Sequence, residues 1–348
     1  MKATILHAPH DVRVEDVPDP AIQRPTDALV RVTAACVCGS DLWPYRGINE
    51  VKRPRRIGHE FVGIVEEVGS EVRSLGPGDF VIAPFLFSDN TCPHCRVGLQ
   101  SACDNGGGYG GRDREGLMVD GGQGEYVRVP LADGTLVATR EVPDESLVPS
   151  LLTLSDVMGT GWHAAVAAGV REGDTVVVVG DGAVGLCGVL AAARMGAERV
   201  VAMSRHESRQ RLAEGFGATD IVATRGEEGE AEVMALTDGV GADAVLECVG
   251  TEEAMTTAIA VARPGSMVGY VGVPHGVELP IGDMFARNVG VAGGVAPVRQ
   301  YLPRLRDDVL AGAIDPGVVF DLEVPLADVA EAYAAMDERR AIKSLIRP

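Results

Sequence analysis

The chain has 348 residues, more than one hydrophobic core usually serves, so two domains are expected. Its 31 Lys and Arg against 50 Asp and Glu leave a net charge of −19, which repels phosphate backbones and anionic lipid and excludes nucleic acid as an expected partner. Apolar residues make up 46%, yet no uninterrupted run reaches the roughly eighteen of a membrane span, and MKATILHAPHDVRVED lacks a cationic, apolar leader, so a soluble, cytoplasmic protein is expected.

From the N-terminus to about residue 150, short apolar runs such as ALVRVTAAC, FVGIVEEVG and DFVIAP alternate with Pro and Gly, the texture of an irregular antiparallel domain. Cys38, in C-G-S-D, and His59, in G-H-E, place a thiolate and an imidazole in that domain, both good zinc ligands. Cys36, Cys187 and Cys248 lie within apolar runs and read as core residues. A second group, Asp89-x2-Cys92-x2-Cys95-x7-Cys103, lies in the polar stretch DNTCPHCRVGLQSACDNGG, where three thiols are hard to explain by core packing and suit a metal in a reducing compartment. Asp89 is an acceptable fourth ligand, with His94 as its alternative.

From about residue 160 the pattern changes. The strand TVVVVG leads into G-D-G-A-V-G and the Ala-rich helix AVGLCGVLAAARMG, followed by the strand RVVAMS, an alternation that predicts a Rossmann-type, doubly wound parallel sheet. Gly180, Gly182 and Gly185, with Ala183 and Val184 opening the helix, form a dinucleotide cradle: glycines allow a tight turn and close backbone approach, and the helix N-terminus attracts pyrophosphate. The strand RVVAM ends at Ser204-Arg205 with no carboxylate to grip a ribose diol. Ser204, Arg205 and Arg209 are therefore expected to clamp a 2′-phosphate, favouring NADP over NAD; the alternative is a pair of solvated surface arginines. DAVLECVG and SMVGYVGVP continue the sheet, GEEGEAE reads as a solvated acidic face, VRQYLPRLRDDVLAG and LADVAEAYAAMDER as amphipathic helices, and KSLIRP as a last strand.

G-H-E-F-V-G-I-V-E-E-V-G at 58–69 with VRSLGPGDFV at 72–81 resembles the zinc signature of the medium-chain zinc alcohol dehydrogenases, and G-D-G-A-V-G, G-A-D-A-V-L-E-C-V-G, A-R-P-G-S-M-V-G and K-S-L-I-R-P resemble further landmarks in that family's order. The resemblance implies an α/β protein with a GroES-like, β-rich catalytic domain (1–158), a Rossmann domain (159–292) and a return segment (293–348) that completes the first domain, with the active site in the cleft between domains. It implies a catalytic zinc on Cys38, His59 and, through S-D-V-M-G-T-G-W-H, Asp156, with Glu60 able to approach or leave the metal. Three protein ligands leave one position for a substrate oxygen. By the same resemblance Ser40 passes the alcohol proton, Asp41 orients His59, and Asp89, Cys92, Cys95 and Cys103 form a structural zinc lobe whose first cysteine has become aspartate.

The chain departs from the family pattern at Trp43, where a histidine often continues the proton relay. The glycine-rich 107–116 resembles the formaldehyde- and aldehyde-handling branch more than the polyol branch. Together these features imply a zinc- and NADP-dependent alcohol dehydrogenase acting on a small alcohol or carbonyl compound and forming a homodimer or homotetramer; a member without turnover, a zinc-free quinone reductase, a zinc sensor and an NAD-using polyol- or threonine-type enzyme are the rival readings.

Overall fold

In the computed structural model, which describes residues 1–348, the run ALVRVTAAC forms the strand Ala28–Cys36 inside a seven-stranded sheet. Val30 and Val32 point into a core while Arg31 between them is exposed, the alternation of a strand with one face packed. This strand pairs antiparallel with Phe61–Val68 on one side. On the other it takes the last strand of the chain, Ser344–Arg347, with Leu345 opposite Cys36 and Ile346 opposite Ala35. Phe80–Ala83 and Val137–Ala138 extend one edge and Leu322–Pro325 the other.

One core beside this sheet gathers Val30, Phe61, Val65, Val81 and Val127. A second gathers Leu6, Val37, Tyr45, Tyr333 and Ile346, so the returning helix Val329–Asp337 and the final strand complete it. The sheet, both cores and the returning residues make one compact unit, Met1–Asp156 with Pro297–Pro348. In the returning helix Val298–Leu310, Val298, Leu302, Leu305 and Val309 are buried, the i, i+4, i+7 spacing of a helix with one apolar face.

The second unit is Val157–Ala296. Its six strands run in the order Asp220–Val222, Arg199–Met203, Thr175–Val179, Ala242–Glu247, Ala262–Tyr270, Gly290–Gly293, every adjacent pair parallel. The order reverses at Thr175–Val179, whose neighbours lead away in opposite directions. Ligands bind at such a switch point, beyond the carboxyl ends of the strands. GEEGEAE lies on the helix Gly226–Leu236, with Glu227, Glu228 and Glu232 exposed. No helix is long and apolar enough to cross a membrane.

Candidate active site and nucleotide cradle

The turn after Ala28–Cys36 brings Cys38 to the end of the sheet, and the segment entering Phe61–Val68 brings His59 and Glu60 beside it. Asp156 arrives from the segment after the helix Val148–Thr153, which is held to the sheet by Ser155 Oγ donating to Phe61 O (3.1 Å) and by Phe85 N donating to Ser155 O (2.9 Å). One ligand atom from each of Cys38, His59, Glu60 and Asp156 lies within 4.8 Å of all the others. Cys38 Sγ donates to Asp156 Oδ2 at 3.4 Å, and His59 Nε2 stands 3.6 Å from the same oxygen. The other ring nitrogen of His59, Nδ1, is 3.4 Å from Asp41 Oδ1, while Asp41 Oδ2 accepts from the Cys38 backbone N–H at 3.0 Å, so one carboxylate orients both donors. Ser40 Oγ donates to Cys38 Sγ at 3.2 Å.

Burial, with the Asp156 and Glu60 carboxylates close by, pushes the Cys38 thiol up to about 11. Burial works against a charge on His59, but Asp41 and Cys38 outweigh it and hold the imidazole well above its ordinary range. Groups that would all be anionic or electron-donating thus converge in a buried space, an arrangement that a dication relieves. A thiol, an imidazole and a carboxylate form a donor set that fits zinc.

In the lobe, Asp89, Cys92, Cys95 and Cys103 present ligand atoms that likewise lie within 4.8 Å of one another. Cys92 and Cys103 sulfurs are 4.0 Å apart. That is far beyond a disulfide bond and near the edge of a tetrahedron with Zn–S bonds of about 2.3 Å. Backbone N–H groups already point at the sulfurs: Cys95 N and Asp104 N donate to Cys92 Sγ at 3.5 and 3.4 Å, and Asp89 N donates to Cys103 Sγ at 3.3 Å. Asp89 is fixed by Thr91 N and Cys92 N on Oδ1 (2.8 and 2.9 Å) and by Asn105 Nδ2 on Oδ2 (2.6 Å). Although burial opposes ionisation, those donors keep its carboxyl below the usual range. His94 stays outside the cluster, half-exposed, with Nε2 3.6 Å from Asp104 Oδ1. Between Asp89 and His94, the geometry brings Asp89 to the sulfurs.

In the second unit each cradle glycine has its own reason. Gly180 has φ +117°, and a side chain there would meet Val249 Cγ2 at 2.7 Å. A Cβ on Gly185 would fall 1.9 Å from Gly180 O, so helix and turn touch only because it is absent. Gly182, the N-cap of Ala183–Arg194, faces open space, the position where a backbone is free to approach a pyrophosphate. Beside it a cavity lined by Gly180, Met203, Arg225, Val249, Thr251 and Glu253 opens at the carboxyl ends of the central strands. This cradle fits a dinucleotide.

Comparison with known proteins shows the family. Residues 24–144 match the "Alcohol dehydrogenase GroES-like domain" and residues 183–307 the "Zinc-binding dehydrogenase" family models. The "Uncharacterized zinc-type alcohol dehydrogenase-like protein AdhB" of Bacillus subtilis (strain 168) is 35% identical, covering 100% of both chains. The chain belongs to the zinc-type alcohol dehydrogenases. The "NADP-dependent isopropanol dehydrogenase" of Thermoanaerobacter brockii is 32% identical over 93% of this chain and 92% of its own. Among solved structures, "Alcohol dehydrogenase TADH from Thermus sp. ATN1" superposes with a TM-score of 0.92 at 32% identity, covering 100% of this chain and 99% of that one.

Three features of this family member were not legible in its motifs. Within the glycine-rich 107–116, two residues pack on aromatic rings: the Tyr109 ring is 5.1 Å from Phe61 and 6.0 Å from Phe87, and a Cβ on Gly107 would meet the Phe87 ring at 2.7 Å. Asp181, inside the cradle motif, accepts from Ser204 Oγ at 2.9 Å and from Arg209 Nη1 at 3.1 Å, whereas Arg205 is exposed. Lys343 is buried beside the metal cluster, with Nζ donating to Glu60 Oε1 at 2.8 Å and to Val37 O at 3.2 Å. Cys36, read as core, donates to Glu60 Oε2 at 3.1 Å, so both carboxylate oxygens accept hydrogen bonds from residues outside the cluster. The available signal for Lys343 was a lone charge in the otherwise uncharged, mostly apolar AIKSLI.

Removing one member of such a buried pair leaves the other charge without compensation, at a cost of about 3–5 kcal/mol. Lys343→Met is expected to lower the unfolding free energy by that order in denaturant titrations, and adding Glu60→Gln to restore much of it. A Lys343→Met protein as stable as wild type would contradict this account of the pair.

Proposed function

We propose that this chain transfers a hydride between NADP(H) and a small alcohol, aldehyde or ketone at a zinc held by Cys38, His59 and Asp156. The observation carrying the reading is the convergence of those three donors while Glu60, the fourth, has both oxygens engaged by Lys343 and Cys36. A three-ligand set of this kind leaves a coordination position for chemistry. When bound, zinc supplies Lewis-acid polarisation of the substrate oxygen, and the nicotinamide gives or takes the hydride. Asp41, at Nδ1 of His59, leaves Nε2 turned to the centre, and the Ser40 hydroxyl beside Cys38 is the group placed to move the alcohol proton. Trp43 has no acid–base group, so the relay on this segment ends at Ser40.

Asp89, Cys92, Cys95 and Cys103 would hold a second, closed zinc that stabilises the lobe without taking part in turnover. Elemental analysis with activity assays tests both sites. Asp156→Ala is expected to lose one of two zincs and nearly all turnover, and Cys95→Ser to lose the other zinc with a lower Tm. Undiminished rates in a zinc-depleted Asp156→Ala protein would sink the catalytic assignment, and two zincs at full stability in Cys95→Ser would sink the structural one. A member without turnover is separated by the same assay, since it would bind zinc and nucleotide and leave every alcohol and carbonyl of a panel unchanged.

The NADP preference is supported by the strand end Ser204-Arg205, which has no acid of its own, and by the NADP dependence of the isopropanol dehydrogenase relative. Ser204→Asp combined with Arg205→Ala is expected to reverse the preference, weakening NADP by about ten- to a hundredfold and leaving NAD nearly unaffected. Wild-type kcat/KM with NAD equal to that with NADP would refute the clamp.

The protein is further proposed to form a homo-oligomer through the outer strand Gly290–Gly293, whose free edge can pair with a second copy. Ile281, Phe285 and Val295 nearby in the chain are 63%, 85% and 61% exposed, a large apolar exposure for a surface. Light scattering should give a dimer or tetramer that Phe285→Arg weakens; a monomeric wild type at micromolar concentration rejects the proposal.

A further inference from the structure

Asp181 stands between Gly180 and Gly182, where Thr175–Val179 turns into the helix Ala183–Arg194. It is 9% exposed, and its two carboxylate oxygens are separately engaged, Oδ2 by Ser204 Oγ at 2.9 Å and Oδ1 by Arg209 Nη1 at 3.1 Å. The same Arg209 nitrogen lies 3.4 Å from the Asp181 carbonyl oxygen. Strand pairing explains the meeting. Thr175–Val179 and Arg199–Met203 are parallel neighbours with Val179 opposite Met203, so the residues following each strand emerge side by side. The strand end that carries no acid in its own sequence thus receives one from the adjacent loop.

We propose that Asp181 determines how strongly the protein discriminates NADP from NAD, restraining the preference created by Ser204, Arg205 and Arg209 and offering the adenosine ribose of NAD an acceptor. The inference rests on the NADP-preferring reading above. A 2′-phosphate that reaches Ser204 and Arg209 must lie within a few ångströms of the carboxylate those residues already hold. Two anions at that separation in a half-buried site repel strongly. A free 2′-hydroxyl meets the opposite situation, because it can donate to the same carboxylate. Burial favours the neutral acid, yet Ser204 and Arg209 hold Asp181 below the ordinary carboxylate range, so the charge is present at neutral pH. Arg209 is at the same time partly neutralised as a phosphate ligand, leaving the exposed Arg205 as the guanidinium of this group that Asp181 does not hold.

Asp181→Asn removes the charge while keeping an acceptor for Ser204. Titration calorimetry on the full chain should measure NADP and NAD, with adenosine 2′,5′-bisphosphate and AMP as probes that need no turnover. The ratio of the NAD to the NADP dissociation constant is expected to rise about tenfold or more in Asp181→Asn, and the AMP-to-bisphosphate ratio to rise with it. The bisphosphate gain should shrink in high salt, as a contact between charges does. Ratios within about twofold of wild type, or a shift toward NAD, overturn the assignment; if Asp181→Asn folds poorly, Asp181→Ser is read by the same criterion. A wild type without NADP preference whose ratio still climbs in Asp181→Asn would reject the underlying reading and keep the role of Asp181. A wild type that prefers NADP and a ratio that does not move would do the reverse.

Discussion

Lys343 Nζ, 2.8 Å from Glu60 Oε1 in a region almost closed to solvent, ties the final strand of the chain to the segment that presents His59. A buried ammonium and a buried carboxylate each carry a large desolvation cost, recovered only when they meet each other and their remaining polar neighbours. Here the neighbours are Val37 O on one side and the Cys36 thiol on the other, both within two residues of Cys38 in sequence. The cluster of Cys38, His59, Glu60 and Asp156 is therefore framed by contacts among segments that are distant in the chain. Removing the chain from Lys343 onward would open the sheet beside Ala28–Cys36 and leave Glu60 without its cation.

The second unit solves a different electrostatic problem. A dinucleotide cradle has to admit phosphate charge, which it does with backbone N–H groups at a helix N-terminus and with glycines that leave room. Gly182 faces open space for that reason, and Gly185 lets the helix lie directly on the turn. Asp181 is the exception, a buried carboxylate in a loop otherwise built to receive anions, balanced by Arg209 and Ser204.

The two candidate ligand groups also contrast in how they are held. In the lobe all four residues fall between positions 89 and 103, and local N–H donors from Cys95 and Asp104 already serve Cys92 Sγ. In the other group Cys38, His59 and Asp156 are brought together from three segments, and Asp41 orders the first two at once. A locally encoded site can form with its own loop, whereas the dispersed one requires the sheet.

Amino-acid order by itself determined the local features of this protein. Glycine spacing after TVVVVG, the alternation of Val30, Arg31 and Val32, and the thiols at 92, 95 and 103 each act over a few residues, where backbone freedom, pleat and ligand reach are set by neighbours in the chain. The resemblance of G-H-E and S-D-V-M-G-T-G-W-H to a known family extended this to Cys38, His59 and Asp156. Only the tertiary structure decided what the buried charges do. The engagement of Glu60 by Lys343, the choice of Asp89 over His94, and the placement of Asp181 at the end of its neighbour's strand depend on which segments lie side by side. The packing of Tyr109, within the glycine-rich 107–116, against Phe61 and Phe87 likewise depends on segments distant in the chain. A motif specifies which groups are available within a short reach of the chain, while the partner of a desolvated charge is set by the long-range contacts that exclude water around it.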